Sequence, residues 1–559
     1  MLKLLSRAAI REVERLSIEE EGIGEDELML RAGTALARRA AAYLQSISAQ
    51  TEQPRVTFLI GSGNNGGDGL VAGRVLAERT HAQVRFYLTR ERDAEDPLLQ
   101  PLTAAGHLIT VARDDLRFRV LTQLIASADL VIDALYGIGA TPPLRSEASK
   151  LLRAIGQALR ESPPLPHTIT IDPLARAPRP ARPYLIACDC PSGLNADTGD
   201  IDPNTPEVDE TVTFIAPKPG LYTFPGAARA GRVTIAPLGL PDTLTPLKSA
   251  NTFVADAPFI AGLLPARPAS SHKGTFGKVL VVGGCAQYAG APALAAKAAY
   301  RSGAGLVTIA APGMVINTLA GSSLETTWFS LADVQGFISA DAAETLLTHG
   351  SNYDTWIIGP GMGQHSSTTN FLSRLLAGLT HNQDEAAPDH ASAQSSSQAS
   401  VVLDADALNI LADLPEWYSL LPANTILTPH PGEMARLCGT STREVQAARL
   451  TYARDKAKLW RCTIVLKGAH TIVASSDGRA AVLPFKNSAL ATAGTGDILA
   501  GLCGGFAAQR LGPFESALGA AYVHGLAGEL AAQALGTERS VIAGDVLGHI
   551  SQAFASLEP

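Results

Sequence analysis

The chain has 559 residues, 46% hydrophobic and 18% charged, with 51 Gly, 35 Pro and a formal net charge of -8. That length exceeds one ordinary core and predicts two or three domains, and the composition suits a soluble, loop-rich α/β protein. The charge balance gives no support to nucleic-acid binding, and no apolar run reaches the length of a membrane span.

The chain opens with "MLKLLSRAAIREVERLSIEEEG", which reads as an amphipathic helix without a signal-peptide core. Six cysteines follow, at 188, 190, 285, 438, 462 and 503, and only the first two are close together. With no second pair at zinc spacing they read as reduced packing thiols, and the expected location is cytoplasmic.

Three short apolar runs then end in loops of Gly and polar residues: "RVTFLIGSGNNGGDG", "DLVIDALYGIGATPP" and "YLIACDCPSGLNADTGD". Helix-like segments such as "LVAGRVLAERT" separate them, which predicts a mostly parallel sheet covered on both faces. Ligands in such folds lie beyond the carboxyl ends of the strands, where these loops fall. "GSGNNG" at 61–66 matches G-x-G-x-x-G, but "QVRFYLTRERD" mixes Glu91 and Asp93 with Arg90 and Arg92, and no Walker lysine follows the glycines. Asn64, Asn65 and Asp68 alternate with Gly66, Gly67 and Gly69. Two readings stay open: a tight turn, or a loop whose NH groups hold phosphate while its side-chain oxygens bind something else. Asp133 ends the second run, and Asp189 and Ser192 follow the third. Asn65, Asp133 and Ser192 together would make an oxygen-only shell with one formal charge, suited to a hard monovalent cation.

The Pro-rich stretch 161–183 and the Ser/Ala/Gln-rich stretch 381–400 read as insertions, the latter disordered. A Pro-containing join near 245–252 divides the chain into domains at 1–245 and 250–559. The second domain brings its own strand-and-loop series: "KVLVVGG", "TWIIGPGMG", "VVLDADAL", "TILTPHPGE", "CTIVLKGAHT" and "NSALATAGTGDILAGLCGG". In the last of these Asp497 follows Gly494-Thr495-Gly496 at a helix start, where anions are favoured. It is either a helix cap or a catalytic charge placed where a phosphate arrives. His430 is a satisfied loop residue or a ligand contact, and Lys467 is solvated or faces phosphate.

Asn-Asn-Gly-Gly-Asp-Gly, Asp-Ala-Leu-Tyr-Gly-Ile-Gly, Asp-x-Pro-Ser-Gly and "APKPGLYTFPGAARAGRV" together resemble the NAD(P)H-hydrate epimerase family over roughly residues 5–242. The resemblance implies a Rossmann-like domain with potassium at Asn65, Asp133 and Ser192. It implies hydrate contacts at Asn64, Asn65, Gly66, Gly67 and Asp68, at Gly137, Ile138, Gly139, Ala140, Thr141, Pro142 and Pro143, and at a catalytic Asp189. One departure is Leu30 in "LMLRAG", where family members usually carry Glu.

"SSHKGTFGKVLVVGGCAQYAGAPALAAKAAYRSGAGLVT", "GPGMG", "LDADALN", "TPHPGE", "KGAHT" and "AGTGDILAG", in that order, resemble the ADP-dependent NAD(P)H-hydrate dehydratases over about 253–556. This implies a ribokinase-like α/β domain with Asp497 as general base and Gly494 and Gly496 as anion donors. Hydrate contacts would be Ala291, Gly363, His430 and Asp497. The adenine nucleotide would lie along Lys467, Gly468, Ala469, His470, Thr471 and Gly496. Asp404 and Asp406 either help place Mg2+ or order a loop. The implied partners are small molecules, NADHX, NADPHX and ADP, in a homo-oligomer. The implied chemistry is repair: the ring hydroxyl is phosphorylated and then expelled, after the first domain has interconverted the two epimers. The alternative is a small-alcohol (vitamin-type) kinase with a non-catalytic nucleotide-binding module.

Overall fold

The structure is a computed structural model that describes residues 1–49, 51–160, 182–384 and 399–558. Of the two expected insertions, 161–181 and 385–398 lie outside the described residues. The chain forms two compact units, Leu2–Ala250 and Asn251–Pro559, the second including Met1.

Among its described residues the first unit is built on seven strands, all paired in parallel. Across the sheet they run Leu108–Val111, Gln83–Leu88, Arg55–Ile60, Leu130–Ala134, Tyr184–Cys188, Glu210–Phe214 and Arg232–Ala236. The five inner strands are buried along nearly their whole length, as expected of a parallel sheet covered on both faces. Val56, Phe58 and Ile60 enter one core, and Leu59, with Val131 of the next strand, enters the other. The chain moves outward from Arg55–Ile60, then returns to its other side at Leu130–Ala134. That reversal opens a crevice at the carboxyl ends of these two neighbours. Helix Asn64–Arg79 closes over the sheet, and helix Glu25–Ser46 packs on it closely enough that a Cβ at Gly33 would lie 2.6 Å from Val71.

The second unit orders its strands Thr252–Val254, Ala480–Val482, Ile472–Ala474, Thr463–Leu466, Thr425–Leu427, Ser400–Leu403, Thr355–Ile358, Lys278–Val282, Leu306–Pro312 and Thr327–Leu331. Pairing is parallel from Thr463–Leu466 to Thr327–Leu331. It turns antiparallel where Thr463–Leu466, Ile472–Ala474 and Ala480–Val482 fold as a meander. Val279 and Val281 enter a core with helices Gly290–Arg301, Thr495–Ala508 and Pro513–Leu535, while Leu280 and Val282 are buried on the opposite face. The small residues of "DILAGLCGG" have a packing cause. Gly501 and Gly505 lie against the backbone of Gly290–Arg301, and Gly504 lies on Ile357.

All six cysteines are free thiols, five of them buried. Among the described residues no helix is long and apolar enough to cross a membrane.

Candidate active sites

In the first unit the glycine loop is shaped by backbone approach. A side chain at Gly61 would collide with the Leu135 carbonyl, and one at Gly66 with the Gly61 carbonyl. Gly66 and Gly67 are buried, whereas Asn64 is exposed and Asn65 and Asp68 are partly so. Helix Asn64–Arg79 starts at Gly63 with no side-chain cap. Asn65 leans on the neighbouring loop, its Oδ1 2.9 Å from where a Gly137 Cβ would stand, and its Nδ2 is buried without a partner. Residues 137–143 leave the carboxyl end of Leu130–Ala134, with Ala140 buried and Gly139, Thr141 and Pro143 exposed.

Asp133 is 1% exposed. Ser192 Oγ donates to its Oδ1 at 2.6 Å, Ser192 N to its Oδ2 at 2.9 Å, and Leu135 N to Oδ1 at 3.3 Å. Burial raises the Asp133 pKa, while these donors pull it down. Among the described residues no cationic side chain pairs with this carboxylate. A buried carboxylate without a cationic partner, with the Ser192 hydroxyl oxygen beside it, is an oxygen donor set that fits a weakly charged cation.

Asp189 follows strand Tyr184–Cys188 in a left-handed conformation, φ 65°, which a non-glycine residue adopts only when its surroundings hold it there. Its Oδ1 accepts from Thr213 Oγ1 at 3.1 Å, from Phe214 N at 3.2 Å and from the Lys218 ammonium. Two further acids share this electrostatic neighbourhood. Burial, then the charge of Asp189, raises the pKa of Asp68 far above its ordinary value and that of Glu14 as well, with Lys218 opposing both. Lys218 and Glu14 escape a sequence reading. The first sits inside a family motif but is indistinguishable there from a solvated lysine, and the second lies on the charged face of an amphipathic helix.

In the second unit the motifs fall at the carboxyl ends of adjacent parallel strands. Gly359 follows Ile358, Asp404 follows Leu403, Thr428 follows Leu427, and Lys467 follows Leu466. Lys467 Nζ pairs with Asp404 Oδ1 at 2.8 Å and lies 3.7 Å from Glu433 Oε2. Burial works to discharge this lysine, and the two carboxylates overcome it, holding its pKa above the usual value. Thr428 Oγ1 donates to Asp404 at 2.7 Å. Asp406 accepts from Gly363 N at 2.9 Å and Gln364 Nε2 at 3.1 Å, so it orders the GPGMG loop. The same loop meets Ala291, whose Cβ is 3.0 Å from where a Gly361 Cβ would be.

Asp497 is the third residue of helix Thr495–Ala508, whose N-cap is Gly494 at φ 90° with no side-chain cap bond. No described hydrogen bond uses the Asp497 carboxylate, which removes the capping reading. Lys467 Nζ approaches the same turn, 3.4 Å from where a Gly496 Cβ would stand. Burial, reinforced by the charge of Asp404 and opposed by Lys467, raises Asp497 to about 7.

His430 caps helix Pro431–Cys438, its Nδ1 accepting from Gly432 N at 3.0 Å and Glu433 N at 3.3 Å. Burial and the positive charges of Lys467 and Arg436 lower its pKa to about 4, so the ring is neutral. Beside this cluster a cavity of about 160 Å³ is lined by Lys467, Gly468, Ala469, Thr471 and Gly496 among others. His470 is the exception within the expected nucleotide segment: it does not line the cavity but is buried, its Nδ1 3.0 Å from the Leu483 carbonyl oxygen. His524 does line it, with Nε2 unpartnered, and burial lowers its pKa to about 4. It sits in the apolar run "AAYVHGLAGEL" and reads from sequence as a core histidine.

The two units are thus α/β domains with separate polar centres at the carboxyl ends of parallel strands, the second beside a glycine-turn helix start of the kind that holds phosphate. The family described as NAD(P)H-hydrate dehydratase matches residues 279–551, and that described as YjeF-related protein N-terminus matches 25–220. The chain is 34% identical to the bifunctional NAD(P)H-hydrate repair enzyme of Moorella thermoacetica, over 99% of this chain and 97% of that one. It is 31% identical to the Escherichia coli bifunctional NAD(P)H-hydrate repair enzyme, over 97% and 92% respectively. A solved ADP/ATP-dependent NAD(P)H-hydrate dehydratase from Bacillus subtilis, co-crystallised with ATP and Mg2+, is 29% identical, with a TM-score of 0.45, 56% of this chain covered and 100% of that one. The chain belongs to the bifunctional NAD(P)H-hydrate repair enzyme family.

Proposed function

We infer that the chain repairs hydrated NADH and NADPH: the first unit interconverts the R and S hydrates, and the second dehydrates the S hydrate with ADP. The observation that carries the second activity is Asp497, uncapped at a helix start, beside Lys467 and the cavity. In this reading Asp497 takes the hydroxyl proton of the hydrate as its oxygen bonds to the terminal phosphorus of ADP, and AMP leaves. The ring nitrogen then expels phosphate, and loss of a proton from the neighbouring ring carbon restores the reduced nicotinamide. NH groups at the start of Thr495–Ala508 would steady the transferred phosphoryl. Asp404 and Asp406 already accept from protein donors, and no group of three or more His, Cys, Asp or Glu fit for a metal occurs among the described residues. Magnesium would therefore arrive on the nucleotide phosphates and neutralise their charge.

In the first unit Asp189 is the proposed catalytic carboxylate. Asn65, Asp133 and Ser192 would hold potassium, which supplies the counter-charge that Asp133 lacks. Leu30, where the family pattern has Glu, is exposed on its helix.

The test mixes both epimers with ADP and follows reduced-nicotinamide absorbance. Complete recovery is expected. Recovery of one epimer's share alone would remove the epimerase reading, and a stable phosphorylated product without recovery would indicate a kinase.

A further inference from the structure

Lys218 is 0% exposed and ranks among the largest fully buried side chains of the molecule. Its Nζ donates to Asp189 Oδ1, to Thr213 Oγ1 at 2.8 Å and to the Phe214 carbonyl oxygen at 2.9 Å. An ammonium has three donors, so every one is spent inside the protein. That excludes Lys218 as a phosphate ligand or a nucleophile. The sheet does not need the charge, since an apolar side chain of similar length would fill the space without desolvating an ammonium.

The carboxylate it meets is held from one side only. Lys218, Thr213 Oγ1 and Phe214 N all reach Oδ1, and no described bond reaches Oδ2. The Asp189 side chain keeps 11% of its surface exposed. Its backbone is fixed as well, at φ 65° with N donating to the Val212 carbonyl at 2.7 Å. One oxygen is anchored and the other has no described partner, and the Asp189 charge is felt by Asp68 of helix Asn64–Arg79 and Glu14 of helix Arg7–Glu19.

We propose that Lys218 is a positioning residue for epimerisation, clamping Asp189 Oδ1 so that Oδ2 is presented to the hydrate hydroxyl. This rests on the reading of the first unit as the epimerase. Lys218 touches no substrate in this scheme and acts only through Asp189. A carboxylate free to rotate would lose alignment, and a misplacement of about 1 Å costs ~10²-fold in rate.

The test uses the full chain, with S-hydrate dehydration as an internal control. Lys218→Met is expected to lower kcat for R-hydrate conversion by ~10²-fold while KM moves less than ~3-fold, with dehydration of the S hydrate unchanged. The decisive measurement is non-additivity: Lys218→Met combined with Asp189→Asn should be no slower than Asp189→Asn alone. Unchanged kcat in Lys218→Met, or a further multiplicative loss in the double variant, would overturn the proposal. If Lys218→Met fails to fold, Thr213→Val, which removes one bond to Asp189 and one to Lys218, decides by the same two measurements. Absence of epimerisation in the unmodified chain would instead remove the function proposed for the first unit.

Discussion

Asp189 and Asp497 are both proposed catalytic aspartates near a lysine, fully buried in the first unit and partly buried in the second, and the two units use that lysine in opposite ways. In the first, Lys218 bonds directly to the carboxylate and fixes one oxygen. In the second, Lys467 is drawn aside by Asp404 and Glu433, and Asp497 has no hydrogen-bonding partner among the described residues. One carboxylate is therefore positioned by an ion pair. The other is tuned by burial, which raises its pKa to about 7. The difference suits the tasks. A group that waits for a substrate hydroxyl beside a strongly anionic nucleotide gains from being able to lose its proton near neutral pH, once magnesium and helix NH groups have offset the incoming charge.

The largest expected effect breaks the second half of that contrast. Asp497→Asn should lower kcat for dehydration by ~10²–10⁴-fold and leave ADP affinity within a few-fold, measured by steady-state kinetics and nucleotide titration. Near-normal turnover would leave Asp497 as a packing residue of the helix start.

Next comes pH. A base must be ionised, so kcat/KM for dehydration should fall about tenfold per pH unit below about 7. The same shift bears on stability with the opposite sign. The folded-state pKa is raised from 3.8 to about 7, so the protonated form is favoured by folding. Its contribution is full below about pH 4 and lost as pH rises through about 7, to a limit of about 4 kcal/mol. Asp497→Asn should therefore raise the melting temperature of the second unit at pH 8 and leave it nearly unchanged at pH 4. An equal shift at both pH values would show that the substitution acts through packing.

How much of this contrast was legible in the sequence differs by residue. Asp497 and Lys467 stand in short motifs with a definite place in the chain, and the alternation of apolar runs and helices gave two α/β halves. The capping reading of Asp497 could not be dismissed before the helix start was seen, because an acid at that position satisfies both explanations. The pairing of Lys218 with Asp189 depends on a crossing between residues 29 positions apart, and burial of a lysine leaves no local trace. The antiparallel meander Thr463–Val482 was likewise hidden. Its strands are only three or four residues long, too short for periodicity to separate them from loops.

A smaller effect concerns the cation centre. Asp133→Ala removes the buried anion and the acceptor of Ser192, and should lower epimerisation by roughly tenfold and flatten its dependence on potassium, with sodium and magnesium poor substitutes. Dehydration of the S hydrate should not change. Epimerisation indifferent to both the ion and the substitution would leave Asp133 as a hydrogen-bond anchor for the Ser192 loop.

The smallest expected effect tests whether the two carboxylates act in separate catalysts at all. Each unit has its own buried clusters, and a domain with its own core can fold alone. Every group invoked for dehydration, from Ala291 and Gly363 to Lys467 and Asp497, lies in Asn251–Pro559. A fragment of residues 250–559 should therefore dehydrate the S hydrate within a few-fold of the full chain and let the R hydrate accumulate. A separate 1–245 fragment should then complete the conversion in trans, because the hydrate is a diffusible small molecule. A folded 250–559 fragment without activity would mean that the second centre borrows a residue from the first unit, and the contrast between Asp189 and Asp497 would become one between two parts of a single site.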